Sequence, residues 1–114
     1  MISRRQRRVG ELLKEEIGMI IAYELSDPRL AFVSVTDVQV SSDLRHARVY
    51  ISHLGEAEET EIVLEALKGA TGYMRHELAQ RVELRYVPEL SFYKDSSLER
   101  GRRIDQLLRE LHLE

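Results

Sequence analysis

The sequence predicts a small α+β domain in the order α-β-β-α-kink-α-β, followed by a C-terminal helix. Three observations lead to this prediction: stretches with helical spacing of apolar residues, short alternating stretches between them, and two glycines that interrupt the middle helical stretch. The chain has 114 residues, of which 43% are hydrophobic and 32% charged, enough for one domain with a buried core. We therefore predict a single domain over residues 1–114, with its core in residues 1–95 and an added helix over 96–114.

The first helix is predicted from residue 3 to about residue 25. From Val9 onward, apolar residues recur on one helical face. Ser3 and Gln6 have the spacing of a capping box at the start of this helix. The helix is expected to end before Pro28, because a residue that precedes proline disfavours helical backbone angles.

Two strands are predicted next. Valines alternate with polar residues over 33–35 and, with the phase shifted by one residue, over 38–40, which predicts a β-bulge near Thr36-Asp37. A turn at 41–43 and a second alternating run over 47–52 complete an antiparallel hairpin with one solvated face.

The stretch over residues 58–83 keeps helical spacing although it contains Gly69 and Gly72. Each glycine costs about 1 kcal/mol relative to alanine inside a helix. The stretch therefore predicts two helices that meet at a kink over Gly69-Ala70-Thr71-Gly72.

A third strand and a last helix complete the predicted order. Leu90 and Phe92 share one face of the strand, and Pro88 stands at its start, where a missing amide is tolerated. Ser96 and Glu99 have the spacing of a capping box, so we predict that the last helix begins at Ser96.

Composition and motifs exclude several classes of function. The absence of cysteine excludes disulfides and thiolate chemistry. The four histidines lack paired metal-ligand spacing, and no serine stands in a nucleophile motif. Apolar runs are far shorter than the ~20 residues of a membrane span. We predict a cytoplasmic protein that is not an enzyme, uses no cofactor or metal, and binds no membrane.

Positive charge is concentrated at the start of the first helix, although the formal net charge is −3. The helix macrodipole disfavours each cation in the first turn by about 0.3–1 kcal/mol. Because the guanidinium fork fits phosphate, this cluster predicts a phosphate-bearing partner; a solubilising basic end is the alternative. The cluster consists of Arg4, Arg5, Arg7 and Arg8.

The glycine-containing kink is a second candidate contact. Glycines let a phosphate backbone approach closely, and Lys68 and Arg75 supply positive charge on its two sides. A GxxG pattern between two helices and after a hairpin indicates a KH-type nucleic-acid fold. Packing of the helices through small residues is the alternative.

The aromatic residues favour recognition of shape over recognition of stacked bases. We expect Tyr23, Phe32, Tyr73 and Phe92 to pack in or near the core. They do not predict the paired stacking platform of an RRM sheet, so contacts to the nucleic-acid backbone are expected instead.

Two blocks of sequence are specific when taken together. The first block is Asp27-Pro28-Arg29-Leu30 followed by Val33-Ser34-Val35-Thr36-Asp37-Val38, Ser41-Ser42-Asp43-Leu44 and Ala47-Arg48-Val49-Tyr50. The second is Leu84-Arg85-Tyr86-Val87-Pro88-Glu89-Leu90-Ser91-Phe92, with Asp95, Ser97 and Gly101 after it. With these blocks the chain resembles the bacterial ribosome-binding factor A (RbfA) family, and the likeness runs from about residue 3 to 109.

The resemblance implies a KH-like (type II) fold in which an Ala-x-Gly kink replaces the usual GxxG loop. Ala70-Thr71-Gly72 matches that kink, and Gly69 also completes a literal GxxG pattern, so both geometries stay open. The resemblance further implies a non-enzymatic factor that binds free 30S particles and 16S rRNA. Such factors assist 16S rRNA 5′-end processing late in maturation of the small ribosomal subunit and matter most in the cold.

We therefore predict an rRNA-binding assembly factor that acts as a monomer. The alternative is a protein-interaction module that docks through the acidic helix start (residues 56–65) or through the C-terminal helix. The predicted RNA-binding residues are Arg4, Arg5, Arg7, Arg8, Arg45, Arg48, Lys68, Ala70, Thr71, Gly72, Arg75, Arg81 and Arg85.

Overall fold

In the computed structural model, which describes residues 2–96, three α-helices accompany three strands. The helices are α1 (Arg4–Tyr23), α2 (Thr60–Gly69) and α3 (Thr71–Arg81), and the strands are β1 (Val33–Val40), β2 (His46–His53) and β3 (Glu89–Lys94). The predicted α+β class and the element order up to β3 are confirmed. The helix predicted over 96–114 lies outside the described residues, apart from Ser96 at its start.

The strands form one sheet in the order β1-β2-β3. β1 pairs antiparallel with β2, and their register shifts between Val35 and Asp37, which confirms the predicted bulge. β3 pairs parallel with β2, from His46 opposite Glu89 onward. Because parallel strands begin at the same edge of a sheet, the residues before β2 and before β3 lie side by side.

The core lies between the helices and one face of the sheet. On β2, the side chains of Ala47, Val49 and Ile51 are at most 1% exposed, whereas Arg48 between them is exposed. This alternation is the period-2 pattern of a strand with one covered face. The helices supply the fully buried side chains of Leu13, Ile17, Ile20, Leu67, Met74 and Leu78.

The start of α1 is tied to the end of β1. The predicted capping box is present, since the Gln6 amide donates to Ser3 Oγ at 3.1 Å and the Ser3 amide donates to Gln6 Oε1 at 2.9 Å. The Gln6 side-chain amide also donates to the carbonyl oxygen of Val40 at 2.9 Å. The first turn of α1 therefore stands at the edge where β1 ends.

The expected burial of three aromatic residues is wrong. Tyr23 is 84% exposed, Phe32 69% and Tyr73 45%, whereas Phe92 is half-buried and packs against the core as predicted. Tyr23 is the last residue of α1, and Phe32 precedes β1, so neither lies on a covered face. The Tyr73 hydroxyl has a polar partner, Glu24, which keeps it near the surface.

A cluster of carboxylates around Arg81 joins α1 to α3. The Arg81 guanidinium contacts Glu24, lies 2.8 Å from Glu77 and lies 3.9 Å from Glu16. The Tyr73 hydroxyl donates to Glu24 at 3.1 Å. The hydrogen bond from Arg81 holds the pKa of the Glu24 carboxyl below its usual value, and the Tyr73 hydroxyl adds to this effect.

We expect Glu24→Gln to lower the melting temperature at neutral pH and to weaken its fall on acidification. The ordinary pKa of a glutamate carboxyl is 4.5, and the folded state keeps Glu24 ionised below that pH. On acidification, the unfolded chain therefore protonates Glu24 before the folded protein does. The stabilisation is therefore present above that pH and disappears as pH falls through the lowered pKa of the folded state.

Thermal melts between about pH 7 and about pH 3 measure this dependence. Glu15→Gln, on an exposed position of the same helix, is the matched control. A Glu24→Gln protein that loses melting temperature on acidification as steeply as the unaltered protein contradicts the prediction.

Candidate nucleic-acid interface

One edge of the sheet gathers the segments that carry most of the predicted arginines. The end of β1 and the starts of β2 and β3 meet there, and the first turn of α1 is held beside them. The Glu89 amide donates to the Arg45 carbonyl oxygen at 2.8 Å and continues the pairing beyond β2. Residues distant in sequence therefore share one surface.

Three adjoining depressions on this edge share lining residues and form one groove, which we call the basic groove. Six arginines line it against three carboxylates, although the whole chain has a formal net charge of −3. Within residues 2–96, no carboxylate lies at ion-pair distance from any of the six. The arginines are Arg4, Arg5, Arg8, Arg45, Arg75 and Arg85, and the carboxylates are Asp43, Glu83 and Glu89.

The turn between β1 and β2 fixes the position of Arg45. The Asp43 carboxylate accepts hydrogen bonds from the Ser41 hydroxyl at 2.6 Å and from the Arg45 amide at 3.0 Å. These bonds, that from Ser41 first, hold the pKa of Asp43 below its usual value. Leu44 has a φ of 61°, a left-handed conformation uncommon for leucine. Arg45 thus leaves a turn whose backbone is closely constrained.

Tyr86 lies under two of the guanidinium groups. Cζ of Arg45 is 4.8 Å and Cζ of Arg85 is 5.7 Å from the centroid of the Tyr86 ring, distances at which a cation is attracted to an aromatic face. Arg75 fixes the backbone that follows Tyr86, because its guanidinium donates to the carbonyl oxygens of Val87 at 3.0 Å and of Pro88 at 3.1 Å. Arg75 therefore positions the segment that carries Tyr86.

Four of the other predicted residues stand outside the lining of the basic groove. Arg7 is exposed on the first turns of α1, and Arg48 is exposed on the uncovered face of the sheet. Lys68 lines a different cleft, between α2 and β3, beside two glutamates of α2. Arg81 belongs to the carboxylate cluster between α1 and α3, so its charge is balanced within the protein.

The kink is a break of one residue between α2 and α3. α2 ends at Gly69, α3 begins at Thr71, and Ala70 between them has φ −94° and ψ 0°. The Thr71 hydroxyl donates to the Lys68 carbonyl oxygen at 2.8 Å. A Cβ atom added at Gly69 or Gly72 meets nothing within 4 Å. The glycines are therefore not required for helix packing, and this compact break fits an Ala-x-Gly kink.

Sequence reasoning missed Tyr86 as a site residue. Its position beside Arg45 depends on the parallel pairing of β2 with β3, which alternation of apolar residues does not reveal. The signal available in the sequence is the Arg85-Tyr86 pair, which stands two residues before the third strand. This pair indicates a binding site only once the turn before β2 is known to lie beside it.

Neither a metal site nor a membrane span is found in the described part of the chain. Histidine and acidic side chains of residues 2–96 form no group of three that fits a metal ion. No helix within these residues combines the length and the apolar character that a bilayer crossing requires.

Comparison with known proteins identifies the family. The sequence model of the family described as Ribosome-binding factor A matches residues 5–108. The chain belongs to the RbfA family. Relatives named Ribosome-binding factor A in Halothermothrix orenii and Thermomicrobium roseum are both 50% identical to it. The first alignment spans 111 residues, 97% of this chain and 91% of the relative, and the second spans 114 residues, 100% and 88%.

Solved structures share the fold of this RbfA family member. The crystal structure of ribosome-binding factor A from Thermus thermophilus is 31% identical, with a TM-score of 0.70 over 78% of this chain and 94% of that one. The solution structure of a Thermotoga maritima protein is 35% identical, with a TM-score of 0.73 over 82% and 89%. A homology model of the Thermus thermophilus factor, fitted into a cryo-EM map of a 30S–RbfA complex, is 31% identical, with a TM-score of 0.59 over 80% and 91%.

Proposed function

We propose that this protein assists late maturation of the small ribosomal subunit by binding free 30S particles through their 16S rRNA. It acts as a cytoplasmic monomer without catalysis and supports processing of the 16S rRNA 5′ end, above all in the cold. Membership of the RbfA family supports this role, as does the cryo-EM map of a 30S–RbfA complex into which a homology model of the Thermus thermophilus factor was fitted.

The observation that carries the proposal is the set of arginines in the basic groove that have no carboxylate partner among residues 2–96. Arg4 and Arg5 stand in the first helical turn, where they oppose the macrodipole, and no acidic residue is present there to offset them. Cations kept in an electrostatically unfavourable position fit a polyanionic partner. Each contact with a phosphate of such a partner releases a counterion, which favours binding. Arg7, Arg48, Lys68 and the kink extend the proposed contact surface beyond the groove.

Sedimentation of the protein with 30S subunits, 70S ribosomes and naked 16S rRNA fragments tests the proposal. We expect the protein to pellet with free 30S subunits more than with 70S ribosomes, and binding to weaken steeply between low and moderate salt. Binding that does not depend on salt contradicts the proposal and favours a protein-interaction module. The acidic side chains of Glu56, Glu58 and Glu61 are exposed and available for such docking.

The role in processing has its own test. Deleting the gene is expected to increase the share of 16S rRNA with an unprocessed 5′ end, with a larger increase at low growth temperature. Primer extension on total RNA measures that share, and restoration by the intact gene is the control. Fully processed 16S rRNA at both temperatures contradicts the processing role. It does not bear on 30S binding, which the sedimentation experiment tests separately.

Replacement of Gly72 by alanine separates contact at the kink from stability. Gly72 lies in the first turn of α3 with open space at its Cβ position, so Gly72→Ala is expected to raise the free energy of unfolding by up to about 1 kcal/mol. Its affinity for 30S subunits is expected to fall, because the added methyl group stands where an RNA backbone would approach.

Gly18→Ala is the matched control, because its Cβ position is also open and it lies in α1, away from the kink. Urea denaturation and 30S sedimentation of both variants give the comparison. Unchanged 30S affinity in a folded Gly72→Ala protein contradicts an RNA contact at the kink.

A further inference from the structure

Tyr86 presents a partly bare aromatic ring inside the basic groove. The residue is 52% exposed, although two guanidinium groups lie over its ring. Tyr86 also lines two of the three depressions that form the groove, one of them with a volume of about 420 Å³. An aromatic surface and several positive charges therefore face the same space.

Hydrogen bonds to the flanking backbone hold this arrangement in place. On one side, Asp43 constrains the turn before Arg45. On the other, Arg75 binds the two carbonyl groups that follow Tyr86. The Glu89 amide joins both segments through its bond to the Arg45 carbonyl oxygen. Because the backbone that carries the ring and the cation is held before any partner arrives, less ordering is needed when a ligand binds.

The chemistry of the groove matches an unpaired nucleotide. Bases that leave a stack are bound by aromatic rings and by guanidinium planes, and Tyr86 with Arg45 offers both. Arg5 lines the same depression and supplies a positive charge for a neighbouring phosphate. Asp43 lies there too, but its carboxylate is engaged by Ser41 and by the Arg45 amide.

A fully paired helix does not offer the same ligand. Its bases are stacked inside the duplex, so it presents phosphates, sugar hydroxyls and base edges but no free face of a base. Phosphates alone engage the arginines of the groove and make no use of the exposed part of the Tyr86 ring. The ring therefore distinguishes RNA with an unpaired base from RNA without one.

We propose that Tyr86, together with Arg45 and Arg85, binds a single unpaired base of the RNA, which stacks on their flat surfaces. This inference rests on the proposed function, since it presumes RNA in the basic groove, and it adds a preference for an unpaired nucleotide. It also differs from the recognition of shape alone that the sequence predicts.

Two RNA hairpins test the assignment in the full chain. Both hairpins are closed by a polyethylene glycol linker in place of a nucleotide loop, so that one is fully paired and the other carries a single unpaired base, a 2-aminopurine in its stem. We expect the unaltered protein to bind the second hairpin more tightly and to quench its fluorescence, because stacking quenches this base. Tyr86→Leu is expected to lose about 5- to 150-fold of its affinity for the second hairpin, the range for one stacked base. Its affinity for the paired hairpin is expected to stay unchanged.

Two further variants separate stacking from other effects. Tyr86→Phe keeps the ring and is expected to retain both the preference and the quenching. Tyr23→Leu removes an exposed tyrosine from the last residue of α1 and is the matched control, with no expected effect on either hairpin. Equal losses in the leucine and phenylalanine variants at position 86 overturn the assignment to stacking.

The remaining outcomes distinguish this inference from the proposed function. Equal binding of both hairpins by the unaltered protein, with the expected salt dependence, overturns the base site and leaves the proposed function intact. Failure to bind either hairpin or 16S rRNA overturns both. Binding of a polyglutamate probe that depends on Tyr86, with no RNA binding, assigns the groove to an acidic peptide and likewise overturns both.

Discussion

We expect the combined replacement of Arg4, Arg5 and Arg8 by glutamine to weaken RNA binding by up to a few hundredfold near 0.1 M salt. Each phosphate contact contributes about 0.9 to the slope of log affinity against log salt on a B-form DNA duplex, which we take as the upper value for RNA, and about 0.7 on single strands. Three lost contacts therefore reduce the slope by up to about 2.7. Titrations of one RNA fragment at several salt concentrations give both quantities.

The same variant is not expected to lose stability. Arg4 and Arg5 lie in the first turn of α1, where each cation is disfavoured by about 0.3–1 kcal/mol, so their removal leaves the free energy of unfolding equal or slightly higher. A drop in stability without a change in binding means that these arginines are structural. Arg7→Gln, added to the triple variant, measures whether the exposed residue beside the groove contributes a further contact.

A matched control removes the same charge elsewhere on the protein. Lys14, Arg29 and Lys94 line none of the depressions that form the basic groove, so their combined replacement by glutamine is expected to leave the salt slope nearly unchanged. An equal decrease of slope in both variants indicates that net charge, rather than the groove, controls binding.

Local signals in the sequence are sufficient for the elements of this fold. The capping box at Ser3, the bulge near Thr36 and the break at Ala70 are each written in a few neighbouring residues, and the structure contains all three. Such features depend on backbone angles and on hydrogen bonds between residues close in sequence. A single sequence therefore contains the information that they require.

The composition of the groove depends on pairing between distant segments. Arg45 and Tyr86 meet because β3 adds to β2 in parallel, and Arg81 is balanced because α3 crosses α1 near Glu24. The charge pattern alone ranks Arg81 and Arg85 together, since both are basic residues near the end of a helix. Only the crossing of the helices shows that one meets carboxylates and the other faces the groove.

The contact between α1 and the sheet gives the largest expected effect on stability. A Cβ atom added at Gly10 lies 2.8 Å from the carbonyl oxygen of Val38, closer than real Cβ contacts allow. The obstacle is backbone of a paired strand, so it cannot move aside as the end of a flexible side chain would. Gly10 thus lets α1 lie directly on β1.

We expect Gly10→Ala to lower the free energy of unfolding by about 1–3 kcal/mol, the range for overpacking a core. Helix propensity alone predicts that the free energy of unfolding rises by up to about 1 kcal/mol. A decrease instead of an increase therefore shows that the close contact determines the effect. Gly18→Ala in the same helix, where a Cβ atom has open space, is the matched control and is expected to stabilise. Urea denaturation of both variants measures the difference, and equal gains in both contradict the contact. The added Cβ atom is expected to displace α1 from the sheet, and α1 carries Arg4 to the groove. We therefore also expect the Gly10→Ala protein to bind RNA more weakly than the Gly18→Ala control.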